Sequence, residues 1–334
     1  MSIFLSGGLG YIGSHIAVSL LNKGHSVIIA DSLYNSKITV LDKIREIVGE
    51  EKYKNLKFYQ YDLLSLENCE EIFSNNQIST IIHLAGLKAV YESIQKPVFY
   101  YDVNINLCLN LLKMMETHNV NNLIFSSSAT VYNEKNVVPF KEDGERGATH
   151  AYGNSKVFQE YILENFQQAH PEKSIILLRY FNPVGCHPSG LIGEDPNGIP
   201  NNLMPYILKV VKGELPKLSI FGSDYQTKDG TCVRDFIHVC DLAEGHVSAL
   251  QKTDKGGLYI YNLGTGNGVS VLEMVNEMNK ITGGKVKYEF AERRGGDLAE
   301  CYSDPSKAER ELGWKAQYSA KEMCEHSYLF VKNK

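Results

Sequence analysis

The stretch Ile3-Phe4-Leu5-Ser6-Gly7-Gly8-Leu9-Gly10-Tyr11-Ile12-Gly13 leads directly into Ser14-His15-Ile16-Ala17-Val18-Ser19-Leu20-Leu21. The apolar triplet at its start predicts a short buried strand, and the apolar residues after Gly13 follow a helical pattern. Between strand and helix, Gly7, Gly10 and Gly13 are spaced to allow a tight turn, a close approach of backbone to a pyrophosphate, and close packing of helix on strand. Amides at the start of the helix then face the anion. A second apolar run, Ser26-Val27-Ile28-Ile29-Ala30, ends at Asp31, at about the distance where a carboxylate accepts hydrogen bonds from an adenosine ribose. Such a carboxylate repels a 2'-phosphate, so the pattern favours NAD over NADP. The alternative is an aspartate that only caps a turn at the strand end.

Working outward, apolar strands near 3–5, 26–30, 56–61, 80–84, 122–127 and 174–181 alternate with amphipathic helical stretches. This predicts an α/β fold, a Rossmann-type doubly wound parallel sheet. Ligand-facing loops follow the carboxyl ends of such strands, which places Asp62 near the adenine and Ala85 to Lys88 along the diphosphate and nicotinamide ribose. His83, inside an apolar strand, reads as a core histidine. After Pro183 glycines and prolines become frequent through Asn202, marking a domain boundary. The expected division is an NAD-binding domain over 1–181 and a smaller C-terminal α/β lobe over 182–334. A helix from Ile237 to about 250 and a strand at Tyr259–Leu263 are expected to return to the first domain within 236–264. Further helices are expected at 202–211, from Val271 to about Thr282, and from about 304 and 319, with strands at Leu218–Phe221 and near Val286–Phe290.

The 334 residues are 43% hydrophobic and 22% charged, with a formal charge of −5. This gives no global attraction to nucleic acid or to an anionic membrane, so any anionic ligand must be held locally. Seven cysteines without a Cys-x-x-Cys pair argue against a disulfide framework and structural zinc, and the ten histidines show no ligand spacing. No metal is expected. A first strand at residue 3, with no apolar stretch of membrane-spanning length, points to a cytoplasmic protein without a signal peptide.

The segment Tyr152-Gly153-Asn154-Ser155-Lys156 opens an amphipathic stretch that reaches about residue 168, and residues at i and i+4 share a helix face. A free phenol titrates at about 10, so making it a usable base at neutral pH requires roughly 4 kcal/mol of differential stabilisation. A fixed ammonium beside it contributes part of that, and the positive ring of an oxidised nicotinamide acts in the same direction. Ser128, closing Phe125-Ser126-Ser127-Ser128 at a strand end, is placed to hydrogen-bond at the same reacting oxygen. Ser126 and Ser127 read mainly as strand-end residues.

Taken with His83-Leu84-Ala85-Gly86-Leu87-Lys88-Ala89-Val90, Ser126 to Tyr132, Leu178 to Gly185, Gly198 to Pro205 and Val233 to Val239, the chain closely resembles the extended short-chain dehydrogenase/reductase family. Within it, the resemblance is to UDP-hexose 4-epimerases over essentially the whole length. It implies Ser128, Tyr152 and Lys156 as the catalytic group. It implies NAD contacts at Gly7, Gly10, Tyr11, Ile12, Gly13, Asp31, Ser32, Leu33, Tyr34, Asn35, Ser36, Asp62, Leu63, Leu84, Ala85, Gly86, Lys88, Asn104, Ser126, Tyr152, Lys156, Tyr180 and Phe181. For a UDP-sugar it implies Lys88, Ser128, Ala129, Thr130, Tyr152, Phe181, Asn182, Asn202, Leu203, Leu218, Ser219, Ile220, Phe221, Arg234, Arg294, Asp297 and Cys301. Two arginines suit a diphosphate in an acidic protein.

The activity so implied is oxidation at C4, with Tyr152 as base, and return of the hydride to the opposite face, leaving NAD unchanged overall. The position of Cys301 lies against the sugar in this family. A small residue there resembles enzymes that also accept the N-acetylated sugars, and a tyrosine resembles those that do not. A homodimer through helices near 97–118 and 152–169 is a further implication. Dehydratases and decarboxylases on this fold need an added acid beside the serine, dehydratases usually an Asp-Glu pair, whereas here Ala129 and Thr130 follow Ser128. Non-catalytic NAD-sensing relatives often lose the Tyr-Lys pair, which this chain retains.

Overall fold

Strand runs such as Phe4-Leu5, Val27-Ile28-Ile29 and Ile81-Ile82 are buried throughout, and strands apolar on both faces require cover on both sides. The computed structural model describes residues 2–197 and 202–334. The part of the sequence motif at Gly198 to Asn201 lies outside the described residues. The strands are β1 (Ser2–Ser6), β2 (Ser26–Ala30), β3 (Leu56–Tyr59), β4 (Ile78–His83), β5 (Asn122–Ser128), β6 (Ser174–Tyr180) and β7 (Asn182–Val184). They continue with β8 (Leu218–Phe221), β9 (Val233–Arg234), β10 (Phe236–His238), β11 (Gly257–Leu263), β12 (Val269–Ser270), β13 (Tyr288–Ala291) and β14 (Glu300–Cys301).

A seven-stranded sheet has the order β11-β6-β5-β4-β1-β2-β3. Register is set by parallel pairs such as Leu5 with Ile29, Leu5 with Ile82, and Ile82 with Ile124. From β1 the chain builds outward through β2 and β3, then crosses back to β4 on the other side. The order therefore reverses between β1 and β4, and ligands of doubly wound sheets bind beyond the strand ends at such a reversal. The glycine turn after β1 and the loop after β4 both lie there. One face of this sheet is covered by the helix Pro97–Thr117, whose Leu107, Cys108, Leu111 and Met115 share a core with Phe4, Ile81, Leu123 and Phe125.

The chain divides into two units. The first comprises the residues up to Asn133, Glu145–Arg179 and Ala243–Tyr261; the second comprises Glu134–Gly144, the described part of Tyr180–Leu242, and Asn262–Lys334. The returning segment is thus shorter than 236–264, and Glu134–Gly144 belongs to the second unit. The helix expected from Ile237 begins at Val239, because Phe236–His238 is held extended by parallel pairing with β7. In the second unit β8 pairs with β13, and β9 lies between β12 and β14. Its core joins Met204, Ile207 and Leu208 to Leu218, Ile220, Met274, Met278 and Met323. The helix Val271–Thr282 has clear sequence stops: Ser270 and Glu273 form a capping box, and Gly283 ends the helix at φ 70°. No described helix is long and apolar enough to cross a membrane.

Candidate active site

The glycine turn divides its labour by geometry. Gly7 has φ +71°, and a Cβ there would stand 2.9 Å from Ala85 Cα. A Cβ on Gly13 would lie 2.6 Å from the Gly7 carbonyl oxygen, and one on Gly8 would lie 2.8 Å from the Ile29 side chain. Gly8, passed over in the sequence reading, is therefore required by the sheet beneath it. Gly10 differs: it caps the helix Tyr11–Asn22, and a Cβ there would meet only the Gly7 oxygen, at 3.3 Å. That open side, beside helix amides and a first turn without acidic residues, suits an anion. Tyr11 and Ile12 form the first, half-buried turn of this helix.

Asp31 joins the turn to the loop after β2. Its Oδ2 accepts from Leu9 N at 3.0 Å, and its Oδ1 from Leu33 N at 2.9 Å and Ser36 Oγ at 2.7 Å. A carboxylate has about four acceptor positions, so one remains on Oδ2 for a ribose hydroxyl. The turn-capping and ribose-accepting readings are compatible in one side chain. Ser32, Tyr34 and Asn35 are exposed on the same loop, and Leu33 is held at φ 61°. These features fit NAD. Asp62 is exposed, whereas the Leu63 side chain lies in the core and offers a ligand only its backbone.

After β4, Ser6 Oγ receives Leu84 N at 3.1 Å and Ala85 N at 3.3 Å. Asn104, buried on the helix Pro97–Thr117, accepts from Leu87 N at 2.8 Å, and its amide nitrogen donates to Leu87 O at 3.1 Å and Ser155 Oγ at 2.9 Å. Through these bonds Asn104 holds the Leu84–Lys88 loop against the helix Ala151–Ala169. Gly86 and Lys88 are exposed on that loop. His83 is a core residue bonded to Ser6 Oγ at 2.8 Å, and burial pushes its imidazole down to about 3, so it is neutral.

Tyr152 and Lys156 lie in the first turns of the helix Ala151–Ala169. Ser128, at the end of β5, is near enough to Tyr152 to act on its phenol in the lowering direction. The Ser128 Oγ accepts from Thr130 N at 3.2 Å and Thr130 Oγ1 at 3.0 Å, so its own O–H is not used by either bond. Ala129 and Thr130 form the short turn that Ser128 caps. Burial raises the Tyr152 pKa, while Ser128 and the Lys88 charge oppose the rise. The Lys156 ammonium donates to the Ser126 carbonyl at 2.7 Å and lies 4.6 Å from the Phe125 ring centre. Burial pushes it down to about 8. His150, which sequence reasoning missed because histidine is an uncommon cap, accepts from Gly153 N at 3.0 Å and lies parallel to the Tyr152 ring.

The second unit carries its own cluster. Asp297 takes Arg294 Nη2 on Oδ1 at 2.9 Å and Nε on Oδ2 at 3.1 Å, with Arg234 Nη2 at 3.4 Å from Oδ1. Two guanidiniums on one carboxylate leave net positive charge suited to a diphosphate. Arg234 Nη1 is fixed by the Val233 and Leu298 carbonyls, both at 2.8 Å. Cys301 stands in register with Arg234 on paired strands, half-buried, with its thiol pushed up to about 11 by burial. On β8, Ser219 and Phe221 face outward, but Leu218 and Ile220 are core residues and offer a ligand only backbone. Asn202 donates to Glu194 at 2.6 Å and precedes the helix that Leu203 begins. Tyr180 and Phe181 are buried, and Asn182 is half-buried on β7. Among the described residues, no His, Cys, Asp and Glu group is arranged to hold a metal ion.

Known proteins match this chain along its length. A family model described as GDP-mannose 4,6 dehydratase matches residues 4–327. A UDP-glucose 4-epimerase of Bacillus subtilis is 52% identical, over 98% of this chain and 96% of its own length. One from Haemophilus influenzae is 51% identical, over 100% and 98%. The crystal structure of UDP-glucose 4-epimerase from Bifidobacterium longum, in complex with NAD+ and UDP, superposes with a TM-score of 0.95 at 48% identity, covering 100% of this chain and 98% of that one. With identity near half along the full length, this chain belongs to the UDP-glucose 4-epimerase family.

Proposed function

We propose that Ser128, Tyr152 and Lys156 are the catalytic group of an NAD-dependent isomerase that interconverts UDP-galactose and UDP-glucose by inversion at C4. The observation that carries the assignment is the buried Lys156 ammonium anchored at 2.7 Å on the Ser126 carbonyl, one helical turn from Tyr152 on the same helix and beside the strand end that carries Ser128. Tyr152 takes the proton of the sugar 4-hydroxyl and later gives it back. Ser128 donates to the phenol oxygen and so favours the ionised form, as do the Lys88 and Lys156 charges. Gly7, Gly10 and Gly13 admit the cofactor pyrophosphate, and Asp31 accepts from its ribose. NAD, when bound, supplies reversible hydride acceptance at C4. Arg234 and Arg294 carry the substrate diphosphate, which leaves the sugar free to present either face. Dehydration is disfavoured, because Ala129 and Thr130 supply no acid beside Ser128. Replacing Tyr152 by Phe is expected to lower turnover at least a hundredfold while UDP affinity is kept; near-normal turnover would refute the assignment.

The small Cys301 supports acceptance of UDP-GlcNAc and UDP-GalNAc as well. A homodimer is supported by the first unit's surface, where Tyr91, Ile94 and Val98 are 69%, 60% and 79% exposed and Phe99, Phe158 and Tyr161 are also exposed. Patches of this kind usually mark association sites. Val98→Glu is expected to shift the mass in solution from dimer to monomer, and a monomeric unsubstituted protein would contradict the reading. The cysteines, all free thiols, suit the cytoplasm.

A further inference from the structure

A buried ion pair lies directly behind the residues assigned to catalysis. Glu160 and Arg179 are both almost wholly inaccessible. Arg179 donates through Nε to Glu160 Oε1 at 3.0 Å and through Nη2 to Oε2 at 2.7 Å, and Arg146 Nη1 reaches Oε2 at 3.2 Å. Arg146 is in turn clamped by Glu164, and the Arg179 guanidinium lies over the Tyr132 ring. Glu160 also accepts from Ser127 Oγ at 2.5 Å.

Two consecutive residues of β5 are therefore tied to one helix. Ser126 O takes the Lys156 ammonium and Ser127 Oγ donates to Glu160, and the next residue of the strand is Ser128, the neighbour of Tyr152. Tyr152, Lys156 and Glu160 follow one another at i, i+4 and i+8, so they share a face. A buried ion pair is weak evidence for stability, since apolar residues of like volume often do as well; fixing a register is its better-attested use.

We propose that Glu160, clamped by Arg179, is a positioning residue for the reaction: it locks the Ser126–Ser128 strand in register with Tyr152 and Lys156 and supplies the negative charge that Lys156 faces. The groups around the Lys156 ammonium are Cys108 on the helix Pro97–Thr117, Glu160 on its own helix, His83 on β4, and Phe125 and the Ser126 carbonyl on β5. Burial raises the Cys108 thiol to about 12 and lowers His83 to about 3, so both are neutral. Glu160 acts on Lys156 in the direction that retains the proton, against burial.

The proposal rests on the assignment of Tyr152 and Lys156, so the test is read beside Tyr152→Phe, which fails separately if that assignment is wrong. In the full chain with bound NAD, Ser127→Ala removes one rung and leaves both Glu160 oxygens with arginine partners. It is expected to lower kcat about tenfold, the scale of a small misplacement, with KM and UDP affinity within twofold of the unsubstituted enzyme. Glu160→Gln is expected to lower kcat and to move the alkaline limb of the kcat profile to lower pH by about one unit. A Ser127→Ala enzyme with kcat within twofold of normal would overturn the proposal. So would a folded Glu160→Gln enzyme whose alkaline limb has not moved. Should Glu160→Gln not fold, Ser127→Ala decides alone.

Discussion

The ammonium of Lys156 lies 2.7 Å from the carbonyl oxygen of Ser126, so the cation expected beside the Tyr152 phenol is anchored on the backbone of the strand that also carries Ser128. Burial pushes this ammonium down to about 8, against about 10.4 for a free lysine. A folded pKa below the unfolded one means that between these values the unfolded chain holds a proton the folded one has released. Stability from this group therefore rises with pH across that window, and the full cost of burial is present below it. Lys156→Met is expected to abolish turnover yet raise the thermal midpoint of nucleotide-free protein at pH about 7, with the gain fading towards pH about 10. A lower midpoint at neutral pH would show that the bond to Ser126 outweighs the burial cost.

The same titration is expected to set the alkaline side of the activity profile. Turnover is expected to fall above pH about 8, as Lys156 loses its proton and the phenolate loses a supporting charge. A kcat flat to pH about 10, the range of a free lysine, would mean that the lysine charge is not used in turnover.

Asp31 binds Leu9 N, Leu33 N and Ser36 Oγ, so Asp31→Ala should loosen the glycine turn as well as remove the ribose acceptor. Weaker NAD retention, relaxed discrimination against NADP and a loss of about 1–3 kcal/mol of stability are expected, the last from buried donors left unpaired. Unchanged cofactor preference would mean that the remaining Oδ2 position faces away from the ribose.

Cys301 should decide which sugars are accepted. An N-acetyl group needs more room than a hydroxyl, and overpacking a filled pocket typically costs about 1–3 kcal/mol. Cys301→Tyr is expected to abolish UDP-GlcNAc/UDP-GalNAc interconversion while sparing UDP-glucose/UDP-galactose. No turnover of UDP-GalNAc by the unsubstituted enzyme, or its survival in the variant, would remove the reading.

Local patterns carried much of this in the sequence. Aliphatic runs ending at Ser6, Ala30 and His83 identify the sheet, and the i, i+4 spacing of Tyr152 and Lys156 places both on one helix face whatever the tertiary structure. What was not legible depends on residues brought together by folding. Asn104 meets Ser155 and Ser127 meets Glu160 across long sequence separations, with no periodicity to announce either pair. The two-residue strands that set Cys301 beside Arg234 are too short to show alternation. Strand alternation turns Leu218 and Ile220 into the core and Ser219 and Phe221 outward, a division the run of four names alone does not show.

The most direct measurement is to incubate the purified protein with UDP-galactose, adding no NADH, and to follow both nucleotide sugars and the redox state of the bound nucleotide. UDP-glucose should accumulate to equilibrium with no net production or consumption of NADH. Absence of UDP-glucose, or accumulation of a dehydrated or oxidised sugar in its place, would contradict 4-epimerisation.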